Sequence, residues 1–178
     1  MEIRKAKIII NSAGGNSSDN SKNYKISLPT AWINALGIDE NNRDVEISFD
    51  GNRIIIDKII SVDEFVSKSK KLGHKVLKIS YYDKNLLCTE IYFDTDESKI
   101  KAENYTKNIL KTAFGNIENP TVKDLCIFLE SRCIPKKRAG IKEYLNTIGV
   151  MNYEPIEIIK RTAGRMAEDE QWLKVEEI

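Results

Sequence analysis

A chain of 178 residues with 41% hydrophobic and 31% charged residues has room for one compact domain or two small ones, and its composition is that of a globular protein, not a disordered one. The net charge of +1 excludes a global field that would draw the whole molecule to nucleic acid, so any such binding has to use a local patch. No apolar run approaches the ~20 residues that cross a bilayer, and Met1-Glu2-Ile3-Arg4-Lys5 lacks the apolar stretch of a signal peptide, so the expectation is a cytoplasmic protein without membrane contact.

The N-terminal third reads as short strands around a small helix. Ile8 and Ile10 open it, followed by the polar, glycine- and serine-rich loop 11–23, which is either a flexible tip or an arm that orders on a ligand. Lys25-Ile-Ser-Leu28 alternates as a half-buried strand does, and Pro29 suits the first turn of a helix carrying Trp32, Ile33 and Leu36 and stopped by Gly37. Val45, Ile47 and Phe49 alternate with Glu46 and Ser48 before the turn Asp50-Gly51-Asn52 and the run Arg53-Ile-Ile-Ile56. Four strands this short cannot bury so many isoleucines among themselves, so they need either a second copy or the rest of the same chain.

Ser61-Val-Asp-Glu64 has the form of a capping box, with Phe65, Val66 and Leu72 on the helix behind it and Gly73 ending it. A hairpin is expected over about 75–93, Lys75–Tyr82 returning through Asp83-Lys-Asn85 into Leu86–Phe93. The remainder, about 106–172, patterns as helices. Thr106 caps one with Ile109, Leu110, Ala113 and Phe114, and Thr121 caps a second with Leu125, Phe128 and Leu129. Pro135 opens a third with Ile141, Tyr144, Leu145 and Ile148, and Pro155 a fourth with Ile156, Ile158 and Ile159. The division predicted is 1–60 and 61–178, in an α+β fold.

The order strand, Leu28-Pro29, short helix, Leu36-Gly-Ile38 and hairpin resembles the swapped-hairpin domain of the AbrB, MazE and SpoVT family of bacterial regulators and antitoxins, over roughly residues 3–58. The resemblance implies two chains interleaving their hairpins into one β-barrel, a homodimer that binds DNA. A second resemblance lies in Asn104-Tyr-Thr, Thr112-Ala-Phe-Gly115, Phe128-Leu-Glu-Ser-Arg-Cys-Ile-Pro135, Tyr153-Glu-Pro-Ile-Glu-Ile-Ile159 and Gly164-Arg-Met-Ala-Glu-Asp169. These are similar to an uncharacterised region of prophage and genomic-island proteins, which implies a regulatory or antitoxin setting and no chemistry.

The DNA-binding candidates are Arg4, Lys5, Lys7, Lys22 and Lys25, which face only Glu2 and Asp19 over residues 1–30, a local balance of +3. The pair of arginines that many family members carry on the short helix is replaced by Ile33 and Asn34. A second cluster, Arg132, Lys136, Lys137, Arg138, Lys142, Lys160, Arg161 and Arg165, opposes Glu143, Glu154 and Glu157, a balance of +5 over 132–165. It reads either as a solvated face paired with the acidic segment around Glu168–Glu177, or as a docking surface for nucleic acid or an acidic protein. Arg132, Lys136, Lys137, Arg138, Arg165 and Trp172, the last as a helix or contact anchor, are the partner-binding candidates.

Chemistry is sparsely represented. His74 is the one histidine and is placed at the surface by its position before Lys75; Cys88, Cys126 and Cys133 fit reduced thiols in apolar surroundings. No nucleotide-binding or metalloprotease motif occurs, so no catalytic residue, metal or cofactor is expected. The sequence thus points to a dimeric DNA-binding transcriptional regulator or antitoxin of a mobile element. The alternative is a phage-encoded inhibitor or adaptor that binds a host defence or toxin protein and uses the N-terminal domain for dimerisation or autoregulation.

Overall fold

In the computed structural model, which describes residues 2–12 and 21–178, the chain forms two compact units, Met1–Ile59 and Ile60–Ile178. The loop read at 11–23 lies outside the described residues over 13–20. Among the described residues the fold is α+β, with five α-helices and antiparallel sheets.

The first unit holds two separate hairpins. β1 (Ile9–Ser12) pairs with β2 (Lys22–Lys25), and β3 (Val45–Phe49) pairs with β4 (Ile54–Lys58). Between them lies α1 (Thr30–Ala35), with Pro29 as its N-cap and Gly37 at φ +67° just past its end, where only glycine is unstrained. β2 is offset from the sequence expectation: it uses Lys22–Lys25, opposite β1, so Ile26 and Leu28 lie beyond its end and not within it. The turn after β3 is an Asp50 side chain accepting from the Asn52 and Arg53 N–H groups at 2.9 and 2.7 Å.

The second unit is built on a four-stranded sheet in the order β7-β6-β5-β8. α2 (Val62–Lys71) starts at Ser61, whose hydroxyl accepts from the Glu64 N–H at 3.2 Å. β5 (Val76–Asp83) and β6 (Leu86–Asp94) form the expected hairpin, with a bulge beside Tyr81 and Tyr82. Helices α3 (Val122–Ser131), α4 (Ile141–Thr147) and α5 (Pro155–Thr162) cover one sheet face. There Ile79, Tyr81 and Ile91 meet Leu125, Leu129, Leu145, Ile158 and Ile159 in one continuous core. α2 covers part of the other face, where Phe65 packs on Val76 and Tyr92. Thr121 and Asp124 complete a reciprocal capping box on α3.

Three readings of the C-terminal region are corrected. Residues 106–114 form only a single 3-10 turn, Ile109–Lys111. The Thr106 hydroxyl accepts from the Asn108 N–H and the Asn108 side chain from the Leu110 N–H, local bonds that compete with a helix. Lys99–Asn104, unassigned in the sequence reading, is β7, and Gln171–Glu177 is the strand β8, so Trp172 sits on a sheet and not on a helix. β8 returns from far along the chain to pair with β5, aligning Leu173 with Tyr81 and Val175 with Ile79.

His74 is half-buried and not a free surface residue. Its Nδ1 lies 2.9 Å from Asp94 Oδ2, and Asp94 Oδ1 accepts from the N–H groups of Asp96 and Glu97, both at 3.0 Å. Burial would raise the Asp94 carboxyl, but these N–H groups, Ser69 and His74 outweigh it and bring it down to about 2; the same carboxylate raises His74. A raised histidine stabilises the fold below its unfolded pKa of about 6.5, and that contribution disappears as pH rises through the folded value. The stability lost in His74→Gln is therefore expected to be larger at pH 5.5 than at pH 8.5 in urea titrations. An equal loss at both would show that the pair is not coupled to folding. Asp94 acts in the opposite direction, its contribution fading only in strong acid.

Candidate functional site

Not one described residue of the first unit is buried, whereas the second has a continuous core. The register explains how this arises. Directly opposed residues share a face, so Val45, Ile47, Phe49, Ile54 and Ile56 line one side of the β3–β4 hairpin, and Glu46, Ser48, Ile55 and Asp57 the other. Yet Ile47, Phe49 and Ile54 remain 65%, 70% and 71% exposed. The first hairpin divides similarly: Ile10 opposes Tyr24, while Asn11, Asn23 and Lys25 share the reverse face with Ile9. Ile8, Ile26 and Leu28 add to the uncovered apolar surface. No closed barrel forms from the described residues of one chain.

Arg4, Lys5, Lys7, Lys22 and Lys25 are all exposed. Lys7 just precedes β1 at the end of the hairpin where Lys25 pairs with Ile9, whereas Lys22 pairs with Ser12 at the other end and on the opposite face. Arg4 stands over the Trp32 ring at 5.7 Å, and the indole N–H donates to Glu2 at 2.6 Å, which ties the N-terminal arm to α1. α1 itself carries no charged residue.

The C-terminal candidates separate into two groups. Arg132 is buried, and all five of its N–H donors are used. Nε donates to the Gly164 carbonyl, Nη1 to Asp169 Oδ2 at 2.6 Å and to Gln171 Oε1, and Nη2 to Asp169 Oδ1 at 3.0 Å and to the Gln171 carbonyl. Arg132 beside Asp169 holds that carboxyl below the usual range. Gly164 makes the approach possible: at φ +56° its hydrogen faces Leu173 and Arg132, and a Cβ there would stand 2.7 Å from Leu173 Cδ1. Two segments read as motifs in the sequence, around Arg132 and around Gly164–Asp169, are thereby one clamp that seats β8.

Trp172 is likewise engaged within the unit. Its ring stacks on Tyr82 with centroids 4.3 Å apart, its N–H donates to the Lys84 carbonyl at 2.7 Å, and Arg165 lies over it at 5.4 Å. Lys136, Lys137 and Arg138 are exposed in the loop between α3 and α4. Charge counting groups the five cations together, whereas burial depends on which cation has a carboxylate to meet.

Groups with reactive chemistry are held in structural roles. Glu90 is buried and accepts from Lys78 Nζ at 2.6 Å, Tyr92 at 2.8 Å and Tyr105 at 3.0 Å, donors that outweigh its desolvation and keep its carboxyl low. Burial raises the Cys88 thiol and takes Cys133 to about 11, far from a nucleophile, and Cys126 is exposed on α3, contrary to the expected apolar setting. A shallow cleft of about 680 Å³ lies along α2, lined by Asp63, Val66, Lys70, Lys71, Lys78 and Tyr92 among others. Among the described residues no set of three or more His, Cys, Asp or Glu side chains is placed to hold a metal ion, and no helix is long and apolar enough to cross a membrane. Comparisons with protein families, curated proteins and solved structures found no match.

Proposed function

We propose that this chain is a homodimeric DNA-binding regulator, with an antitoxin-like or autoregulatory role, whose N-terminal units interleave to complete a swapped-hairpin barrel. The observation that carries this reading is the apolar face of β3–β4, left open on a unit in which no described residue is buried. A two-stranded hairpin is marginal in water, and hydrophobic faces of this kind persist when a second sheet covers them. A second copy supplies an identical face, and a two-fold axis sets self-complementary surfaces against each other. The dimer then carries Lys7, Lys22, Lys25 and their neighbours twice, in a symmetry that suits a palindromic DNA site. Asn11 and Asn23, which share a face with Lys25, supply side chains able to read base edges.

The test is binding of the full chain to DNA from its own promoter as salt is varied. Lys7→Ala with Lys25→Ala is expected to weaken binding and to reduce the slope of log K against log salt by about 0.9 for each lost phosphate contact. An unchanged slope would remove the DNA-binding role from this hairpin.

One observation favours a second reading. α1 presents Thr30-Ala-Trp-Ile-Asn-Ala35 with no basic side chain, so the element that contacts DNA in the resembled family has no cation to do so. In that reading the N-terminal dimer serves as a scaffold for an adaptor or inhibitor that binds a toxin or a host defence protein. Co-purification of a stoichiometric protein partner, without promoter binding, would favour it.

A further inference from the structure

The acidic segment at the end of the second unit does not neutralise the basic loop that precedes α4. Asp169 pairs with Arg132 at 2.6 Å, Glu170 with Lys84 at 2.6 Å, Glu176 with Lys174 at 2.8 Å and Glu177 with Lys75 at 2.6 Å. These acids are taken by Arg132 just past α3, by Lys75 and Lys84 flanking β5, and by Lys174 of β8 itself. Lys136, Lys137, Arg138 and Lys142 are exposed, and among the described residues none of them makes an ion pair. Between residues 133 and 153 the only acid is Glu143. Four cations within seven residues, none of them in an ion pair among the described residues, form a local field that the fold leaves unbalanced.

The loop that carries the first three of them, with Lys142 following in α4, is held at both ends. Upstream, Arg132 is clamped and Tyr153 donates to the Ile134 carbonyl at 2.9 Å. The loop then closes two turns, Arg138 N–H to the Pro135 carbonyl at 2.9 Å and Ile141 N–H to the Arg138 carbonyl at 3.3 Å, with Gly140 at φ +78° leading into α4. Lys136 stands over the Tyr153 ring at 5.7 Å, which supports its stem. The backbone beneath the charges is therefore ordered before any ligand arrives, and less entropy is lost on binding.

We propose that this corner, Pro135–Lys142, binds the phosphate backbone of duplex DNA without reading sequence. Phosphate contacts require only positioned positive charges and backbone groups, whereas a protein interface draws its energy from buried aromatic anchors. The two aromatics nearest the corner, Tyr144 and Tyr153, are half-buried in the core and leave no anchor to offer. The inference uses the second unit alone and does not rest on the N-terminal dimer.

The experiment is fluorescence anisotropy of the full chain with a labelled random-sequence duplex across a salt series. It compares wild type with Lys136→Gln, Lys137→Gln, Arg138→Gln combined, and with the three-fold glutamate version. Thermal melts select the variants that retain the wild-type fold, and the glutamine version guards against instability from charge reversal. The apparent Kd is expected to rise at least about tenfold near 0.1 M salt, and the log–log salt slope to fall by about 2–3. Unchanged affinity and slope in the folded glutamine variant would overturn the proposal. So would loss of binding to labelled polyglutamate with DNA binding intact, which would assign the corner to an acidic protein. Lys7→Ala with Lys25→Ala is the separating control: if it alone removes all DNA binding, the corner is excluded and the N-terminal reading stands; if the corner variant alone weakens binding, the reverse holds.

Discussion

Replacing Ile47 with Asp is expected to abolish the folded dimer. On a single chain Ile47 is 65% exposed, so in a monomer the change would be close to neutral. In an interleaved dimer the same side chain enters a shared core, and two symmetry-related carboxylates would be buried without partners. Loss of the apolar side chain alone costs on the order of 2–5 kcal/mol per protomer at a core site, before any charge is counted. Sedimentation of wild type at micromolar concentration should give twice the 20.3 kDa of one chain, and the variant should aggregate or lose its N-terminal structure. Leu28→Asp, beyond the end of β2, is expected to act in the same direction. A wild type that is folded and monomeric, with Ile47→Asp tolerated, would eliminate the swapped-hairpin reading.

The second large effect is expected at Arg132. Arg132→Ala leaves Asp169 without its bidentate partner and strips donors from the Gly164 and Gln171 carbonyls. Breaking such a pair from one side costs roughly 3–5 kcal/mol, and because Asp169 keeps 31% of its side-chain exposure the lower end is expected. For a chain of this size that is a fall in melting temperature of about 10 °C. Lysine should not rescue it, since one ammonium cannot reach acceptors on Gly164, Asp169 and Gln171 in a planar fork. In a double-mutant cycle with Asp169→Ala the two changes should be strongly non-additive. Additive losses would show that the clamp does not act as a unit. Were Arg132 a surface docking residue, as its place in a basic run suggested, Arg132→Ala would leave stability unchanged.

The elements that were legible in the sequence share one property: their hydrophobic period matches the side they bury. Val76 to Asp83 and Leu86 to Asp94 form a central hairpin whose apolar runs are bounded by a turn, and α3 and α5 announce themselves through Thr121 with Asp124 and through Pro155. β7 and β8 were obscured by charge. In Lys-Ile-Lys-Ala-Glu-Asn and Gln-Trp-Leu-Lys-Val-Glu-Glu only Ile100, Ala102, Leu173 and Val175 turn toward the core, because both strands lie at the sheet edges. The 106–114 segment failed for the opposite reason: its apolar spacing fits a helix, but Leu110 is 84% exposed and the side chains of Thr106 and Asn108 hold the backbone in turns. Within the candidate site, charge counting found the basic residues but could not tell that Arg132 and Asp169, 37 positions apart, would meet. The Trp172–Tyr82 stack was hidden for the same reason, since it depends on strand pairing between segments distant in sequence.

The pairing of β8 with β5 also fixes when the second unit can assemble. β5 lies inside the sheet, and one of its hydrogen-bonding edges waits for Gln171–Glu177, which a ribosome makes long after Asp83. At 5–20 residues per second that interval is roughly 5–18 s, during which the β5–β6 hairpin has one open edge and α3 has no Asp169 to hold. Closure of the sheet thus waits on contacts of long sequence separation, which are the slow ones to form. A nascent chain stalled before Gln171 would expose an apolar strand edge, the kind of template from which chains add to one another. Delivery of β8 to its place is what gives β5 its second neighbour.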